Sequence, residues 1–201
     1  MAEPRLHERA EWIDADVQGD VAERVARTVT IDGCVLRGVR FTGSELANLR
    51  LSNCVFESCE LSGVLADEVE VSQVEFRDCR MDGFAAGRGR FDDVLFTRCR
   101  MPEASFRLTK WDRSEIMDCY LRRADFSGST FAHSSFLGDD LTEALFWRAT
   151  MTGVRLHGST LGGVRGGTSF RGVCIGDEQV DAVARAVFED LDVRIGGADD
   201  A

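Results

Sequence analysis

A chain of 201 residues with 44% hydrophobic side chains and a formal charge of −11 is long enough to bury one continuous core without disulfides or metals. Its seven cysteines, an odd number in a chain whose first residues are charged rather than leader-like, point to reduced thiols and a cytoplasmic protein, and no apolar run approaches the ~18 residues of a membrane span. Two prolines against twenty glycines exclude collagen and proline-rich linkers and call for a repeated turn.

In chain order, residues 1–20, with Trp12 and Ile13 set among charges, are expected to form an N-terminal cap or arm. From residue 21 to 165 the pattern has a period of five. Every residue met in steps of five from Ile31 through Leu36, Phe41, Leu46 and onward to Leu161 is apolar, which neither a helical period of 3.6 nor a strand period of 2 produces. Two positions earlier stands a smaller residue (Cys34, Val39, Ser44, Cys54, Cys59), and two positions later a Gly, Asn or Asp (Gly38, Gly43, Asn48, Asn53, Gly63). The large and the small residue point inward, and the third slot supplies the positive φ of a tight turn.

Stretches such as Ala124-Asp125-Phe126-Ser127-Gly128 match the motif A(D/N)LXX, and the chain resembles the pentapeptide-repeat family over roughly residues 20–165. The resemblance implies an all-β solenoid, a right-handed quadrilateral β-helix in which four pentapeptides close one coil of about twenty residues. About seven coils then make a shaft on the order of 32 Å long. Residues twenty apart stack. Cys59, Cys79, Cys99 and Cys119 fall in one inward column, Cys34 and Cys54 in another, and Phe56, Phe76 and Phe96 in a ladder. The cysteines read as small core residues and not as a metal or redox site, because no zinc-type Cys/His spacing accompanies them. Ala66 and Ala86 are undersized centres on one side, and Phe84, at a normally small slot, is expected to fill the volume that Ala86 leaves.

Residues 166–201 form a C-terminal cap. Asp177 is an N-cap type residue before a helix expected at about 178–190, with Val180, Val183, Val187, Phe188 and Leu191 on one face; the tail from Gly196 is expected to lack fixed structure. In gyrase-binding relatives a C-terminal helix helps form a dimer, so the resemblance implies a homodimer through these residues. An intramolecular cap is the alternative.

No catalytic, metal or cofactor constellation is present. His7, His133 and His157 are far apart, and H-E-x-x-H, G-x-S-x-G and the P-loop are missing. The chain is therefore read as a non-enzymatic module that binds a protein partner, with no cofactor and no direct contact with nucleic acid or membrane. The resemblance adds a second reading, mimicry of DNA at DNA gyrase or another type II topoisomerase, for which Asp67, Glu68, Glu70, Asp92 and Asp93 are the candidate acidic patch. Residues 29–163 hold 16 Lys/Arg against 20 Asp/Glu, and the signs mix along every side. The rival surface is an apolar patch of Met117, Leu137, Leu145 and Trp147, with Leu108 nearby.

Overall fold

The computed structural model describes residues 9–21, 25–194 and 196. The expected tail beyond Gly196 and the histidine at position 7 lie outside the described residues.

Each pentapeptide folds the same way. Its middle residues are extended, so the large centre and the small residue two before it both face inward. The chain then turns at the residue two after the centre. At Phe41 the carbonyl accepts from the amide of Ser44 at 3.0 Å while Gly43 sits at φ 66, the third position of a type II turn, where positive φ is obligatory. Positive φ recurs at most corners, though not at Asn48, and the slot is less restricted than the sequence suggests. Glu68, Gln73, Arg88, Arg98, Leu108, Arg113 and Arg148 hold φ values between 47 and 59. The amides of successive corners bond to the next coil, as Arg88 N–H does to the Arg107 carbonyl at 2.9 Å. This ladder holds an L-residue in a left-handed conformation that it would not adopt alone.

Between residues 25 and 165 each coil pairs in parallel with the next, twenty residues on, giving four sides. The first side stacks the centres Leu36, Phe56, Phe76, Phe96, Ile116 and Phe136. The second follows the ladder Arg40, Glu60, Arg80, Arg100, Tyr120, Asp140, Thr160. The third stacks Ala26, Leu46, Ala66 and Ala86 and continues through Ser105, Asp125, Leu145 and Arg165. The fourth stacks Ile31, Leu51, Val71, Phe91, Trp111 and Phe131. The fold is thus a quadrilateral β-helix.

The core is the interior of the shaft. Phe56 and Phe76 stack at 4.8 Å between ring centroids, and Phe76 and Phe96 at 4.7 Å, the ladder that the twenty-residue spacing predicts. Phe84 is buried beside Ala86 and reaches within 6.0 Å of the Phe106 ring, filling the space above the alanine centres. The indole Nε1–H of Trp111 donates to Thr109 Oγ1 at 2.8 Å, so the one polar atom of this core residue is satisfied.

The parallel ladder begins earlier than the boundary at residue 21. Arg9–Ile13 pairs with Thr28–Asp32, and Asp16–Gln18 with Val35–Arg37. These pairings are one residue short of the coil period, and the phase is restored by an irregularity between Gln18 and Asp20, where Gly19 takes φ 100. A strict step of five from Ile31 cannot see this coil. Part of the segment 1–20 is consequently a coil, not a separate cap.

At the other end a 3-10 turn at Asp177–Gln179 leads into α1 (Val180–Asp190). The residue that caps the turn is Gly176, one place earlier than the Asp177 cap expected from sequence, and Asp177 lies inside the turn. Helix α1 closes the shaft through Ala182, Val183 and buried Ala186. It approaches so closely that a Cβ on Gly167 would lie 2.3 Å from the Ala186 backbone.

Candidate functional site

The four sides differ in what they present to solvent. Ion pairs between successive coils cover much of the first, second and fourth. Arg37 bonds Asp16 at 2.9 Å and Glu57 at 3.1 Å, Arg50 bonds Glu70 at 3.0 Å, Arg98 bonds Asp78 at 2.8 Å, and Arg123 bonds Glu103 at 2.9 Å. The partners are close to one coil apart, which brings them together across adjacent strands. The Arg98 guanidinium holds the Asp78 carboxyl below its ordinary range, and His133 does the same for Asp112. On the second side Arg80 and Arg100 stand side by side, share Asp82, and Arg100 lies 4.9 Å over the Tyr120 ring.

These pairs decide the fate of the acidic patch. Asp67 pairs with Arg88, Glu70 with Arg50 and Asp92 with Arg113. Asp67 lies on the third side, Glu70 and Asp92 on the fourth, and only Glu68 and Asp93 of the five form no ion pair among the described residues. The five do not make a continuous carboxylate column.

The apolar patch is also divided. Met117 and Leu137 are register partners on the first side and are half-buried. Leu145 and Trp147 belong to the third side, two sides away around the square, and cannot share a surface with them. The sequence reading grouped the four by their place in the later coils; ten residues separate opposite sides, and that offset parts them.

The structure gathers a different apolar surface. Among the described residues, the coils' exposed large apolar side chains are Ile13, Val25, Leu65 (52% exposed), Leu108 (58%) and Trp147 (45%). All but Ile13 lie on the third side or at its corner. Among the outward positions between them, Ala47, Ala85, Gly87, Ser105 and Ser127 are small. A shallow groove lined by Val25, Ala47, Leu65 and Ala85 opens at the upper coils. The third side thus interleaves apolar and small residues with the ion pairs Asp67–Arg88 and Arg107–Asp125. Leu65 and Val25 were missed by sequence reading although the register placed them outward; apolar residues on the earlier coils carried the same signal as Trp147.

The residues of the candidate helix face separate as well. Val183 packs on the core, Val187 is half-buried, and Val180, Phe188 and Leu191 are exposed.

The interior holds no exposed chemistry. The seven cysteines are free, and only Cys174 is exposed, its Sγ 3.5 Å from His157 Nε2. Burial pushes the Cys54 thiol up to about 11; Cys79 and Cys119 are also raised, by hydrogen bonds with the neighbouring thiols and by burial. The cysteine column ends in a carboxyl group. Asp139 occupies the same inward slot as Cys119, accepts the Cys119 amide at 2.7 Å through Oδ1, and donates its own amide to Ser159 at 3.0 Å. Burial raises its pKa to about 8. Gln179 seals the column, donating to the carbonyls of Leu156 and Ser159. Among the described residues no group of three metal-binding side chains forms, and no helix is long and apolar enough to cross a membrane.

A parallel β-helix of four-sided coils defines the class of protein, a quadrilateral β-solenoid. The family model for pentapeptide repeats matches the chain in eight copies, over residues 34–69 and 119–158, and over those stretches the chain is similar to that family. Solved structures similar to it include HetL, a pentapeptide repeat protein involved in heterocyst differentiation regulation from the cyanobacterium Nostoc sp. strain PCC 7120 (17% identity, 81% of this chain and 84% of that one, TM-score 0.46). They also include full-length QnrB1, a plasmid-mediated fluoroquinolone resistance protein (16% identity, 89% and 98%, TM-score 0.41), and Rfr23 from the cyanobacterium Cyanothece 51142 (10% identity, 69% and 88%, TM-score 0.30). No curated protein matches the chain.

Proposed function

We propose that this chain is a non-catalytic protein-binding rod whose contact surface is the third side. The observation that carries the reading is the gathering of Leu65, Leu108 and Trp147 on one side or at its corner, around the ion pairs Asp67–Arg88 and Arg107–Asp125. Covering these exposed apolar side chains removes unfavourable hydration, and a surface held on a parallel β-ladder loses little backbone entropy in doing so. In cells producing the chain, a photo-cross-linking residue at position 65 is expected to capture a protein, and one at position 80 on the second side is not. Capture at 80 without capture at 65 would overturn the reading.

Mimicry of DNA at a type II topoisomerase is the second reading, brought in by family resemblance and by the charge of −11. A mimic has to present carboxylates that are free to meet basic residues; here Asp67, Glu70 and Asp92 already face arginines. In a gyrase supercoiling assay at low salt the purified chain is expected to leave the enzyme's activity unchanged at molar excess. Inhibition that fades as salt rises and is lost in Glu68→Gln/Asp93→Asn would reverse this order.

A further inference from the structure

We propose that the third side is a self-association surface on which a second copy of this chain docks antiparallel, related by a two-fold axis that crosses the side at Ser105 and Leu108. The proposal rests on the reading of this side as the contact surface and names its occupant.

The argument is one of spacing. The outward row before the centres runs Glu45, Leu65, Ala85, Ser105, Asp125, Leu145, Arg165. An axis lying along the strand direction at Ser105 keeps this row facing itself and reverses the order of coils. Glu45, three coils before Ser105, then faces Arg165, three coils after it. Leu65 faces Leu145, each two coils away. Along the corner row Leu108 meets its own copy, and Glu68, two coils before it, faces Arg148, two coils after it. All four charged residues in these pairings are exposed, and none forms an ion pair within its own chain among the described residues.

The remaining charges on the side are already answered. Asp67, which this arrangement sets against Trp147, is held by Arg88, and Arg107, which meets its own copy near the axis, is held by Asp125 at 3.0 Å. The coil on the axis carries Ser105, Arg107 and Leu108, and in the flanking coils the small residues Ala85, Gly87 and Ser127 let the two sides approach. Acidic residues without a partner thus occupy the upper half and basic ones the lower half, and an antiparallel copy satisfies both at once. The matched rows span six coil steps, on the order of 29 Å at ~4.8 Å each.

The test uses the full chain, by sedimentation velocity across a concentration series in low salt. The wild type is expected to dimerise. Glu68→Arg is expected to weaken the dimer ~tenfold or more, and Glu68→Arg/Arg148→Glu to restore it. In a Cys174→Ser background, Leu108→Cys is expected to form a disulfide-linked dimer on mild oxidation, whereas Asp93→Cys on the fourth side does not; circular dichroism checks that each variant folds. A chain that stays monomeric at every concentration overturns the proposal, and the contact-surface reading survives that result if position 65 still captures another protein in cells. A dimer indifferent to Glu68→Arg and not trapped through position 108 places the association elsewhere and overturns the proposal too.

Discussion

Asp139 shows what one inward position imposes on the molecule. Its carboxyl group is walled in by Cys119, Ser159 and the coil backbone, and Oδ2 has no partner. The unfolded chain ionises this group near 3.8, whereas burial, opposed only in part by the Cys119 amide, keeps the folded chain protonated up to about 8. Across that interval the folded state binds more protons than the unfolded one, so stability falls as pH rises from about 4 and reaches its floor above about 8. Asp139→Asn keeps the acceptor for the Cys119 amide and removes the titration. Its gain over the wild type in urea denaturation is expected to be small near pH 4 and to grow to on the order of 1–5 kcal/mol by pH 9; a gain that does not change with pH would contradict the assignment. Phe76, closed between Phe56 and Phe96, is the ordinary core case, and Phe76→Ala is expected to lose about 3–5 kcal/mol in the same assay. The register alone put both residues inward. For Phe76 that was sufficient, because size and hydrophobicity agree with the slot. For Asp139 a charged side chain in an outward-rich acidic sequence drew no notice, although two residues before Leu141 is an inward place.

At the level of elements, the closing helix depends on one contact more than on its own sequence. Gly167 lets the backbone of Ala186 and Val187 come down onto the last coil, and Thr168 fixes the far end by donating its amide and hydroxyl to Asp190, both at 2.8 Å. Gly167→Ala has no relief available in a flexible side chain, since the obstructing atoms are backbone. It is expected to lift α1 and to abolish the hydrogen-exchange protection of its amides while leaving the Phe56–Phe96 coils protected; unchanged protection of α1 would show that the contact is dispensable. The existence and place of α1 were legible from its apolar face and the acidic residues before it. Which of its residues pack inward was not, because Val183 and Ala186 face the coil while Phe188, on the same apolar stripe by periodicity, stands outside. The N-terminal strands were hidden for a similar reason, since one missing residue before Gly19 takes them out of phase with a pattern they nevertheless join.

For the whole molecule, the twenty-residue coil decides which residues share a side, and function follows from the sides. The candidate patches show how far sequence carries this. The period correctly stacked Met117 on Leu137 and Arg80 on Arg100, but sorting residues by coil rather than by side joined Leu137 to Trp147, which face away from each other. Nor could the period reveal that Arg50, Arg88 and Arg113 would neutralise the acidic patch, because pairing depends on side-chain reach across coils. In a solenoid each coil contacts only its neighbours, so a whole coil is removable if the phase is kept. Deleting residues 81–100 removes Phe84 and Ala86 together and brings Met101 onto Leu61 with every side intact. The most direct measurement is therefore the thermal unfolding of this deletion beside one of residues 81–99. The twenty-residue deletion is expected to fold and unfold cooperatively with somewhat lower stability, and the shorter one, which turns inward residues out through all later coils, to give no folded protein. Equal behaviour of the two deletions would contradict the coil period and with it every assignment of residues to sides.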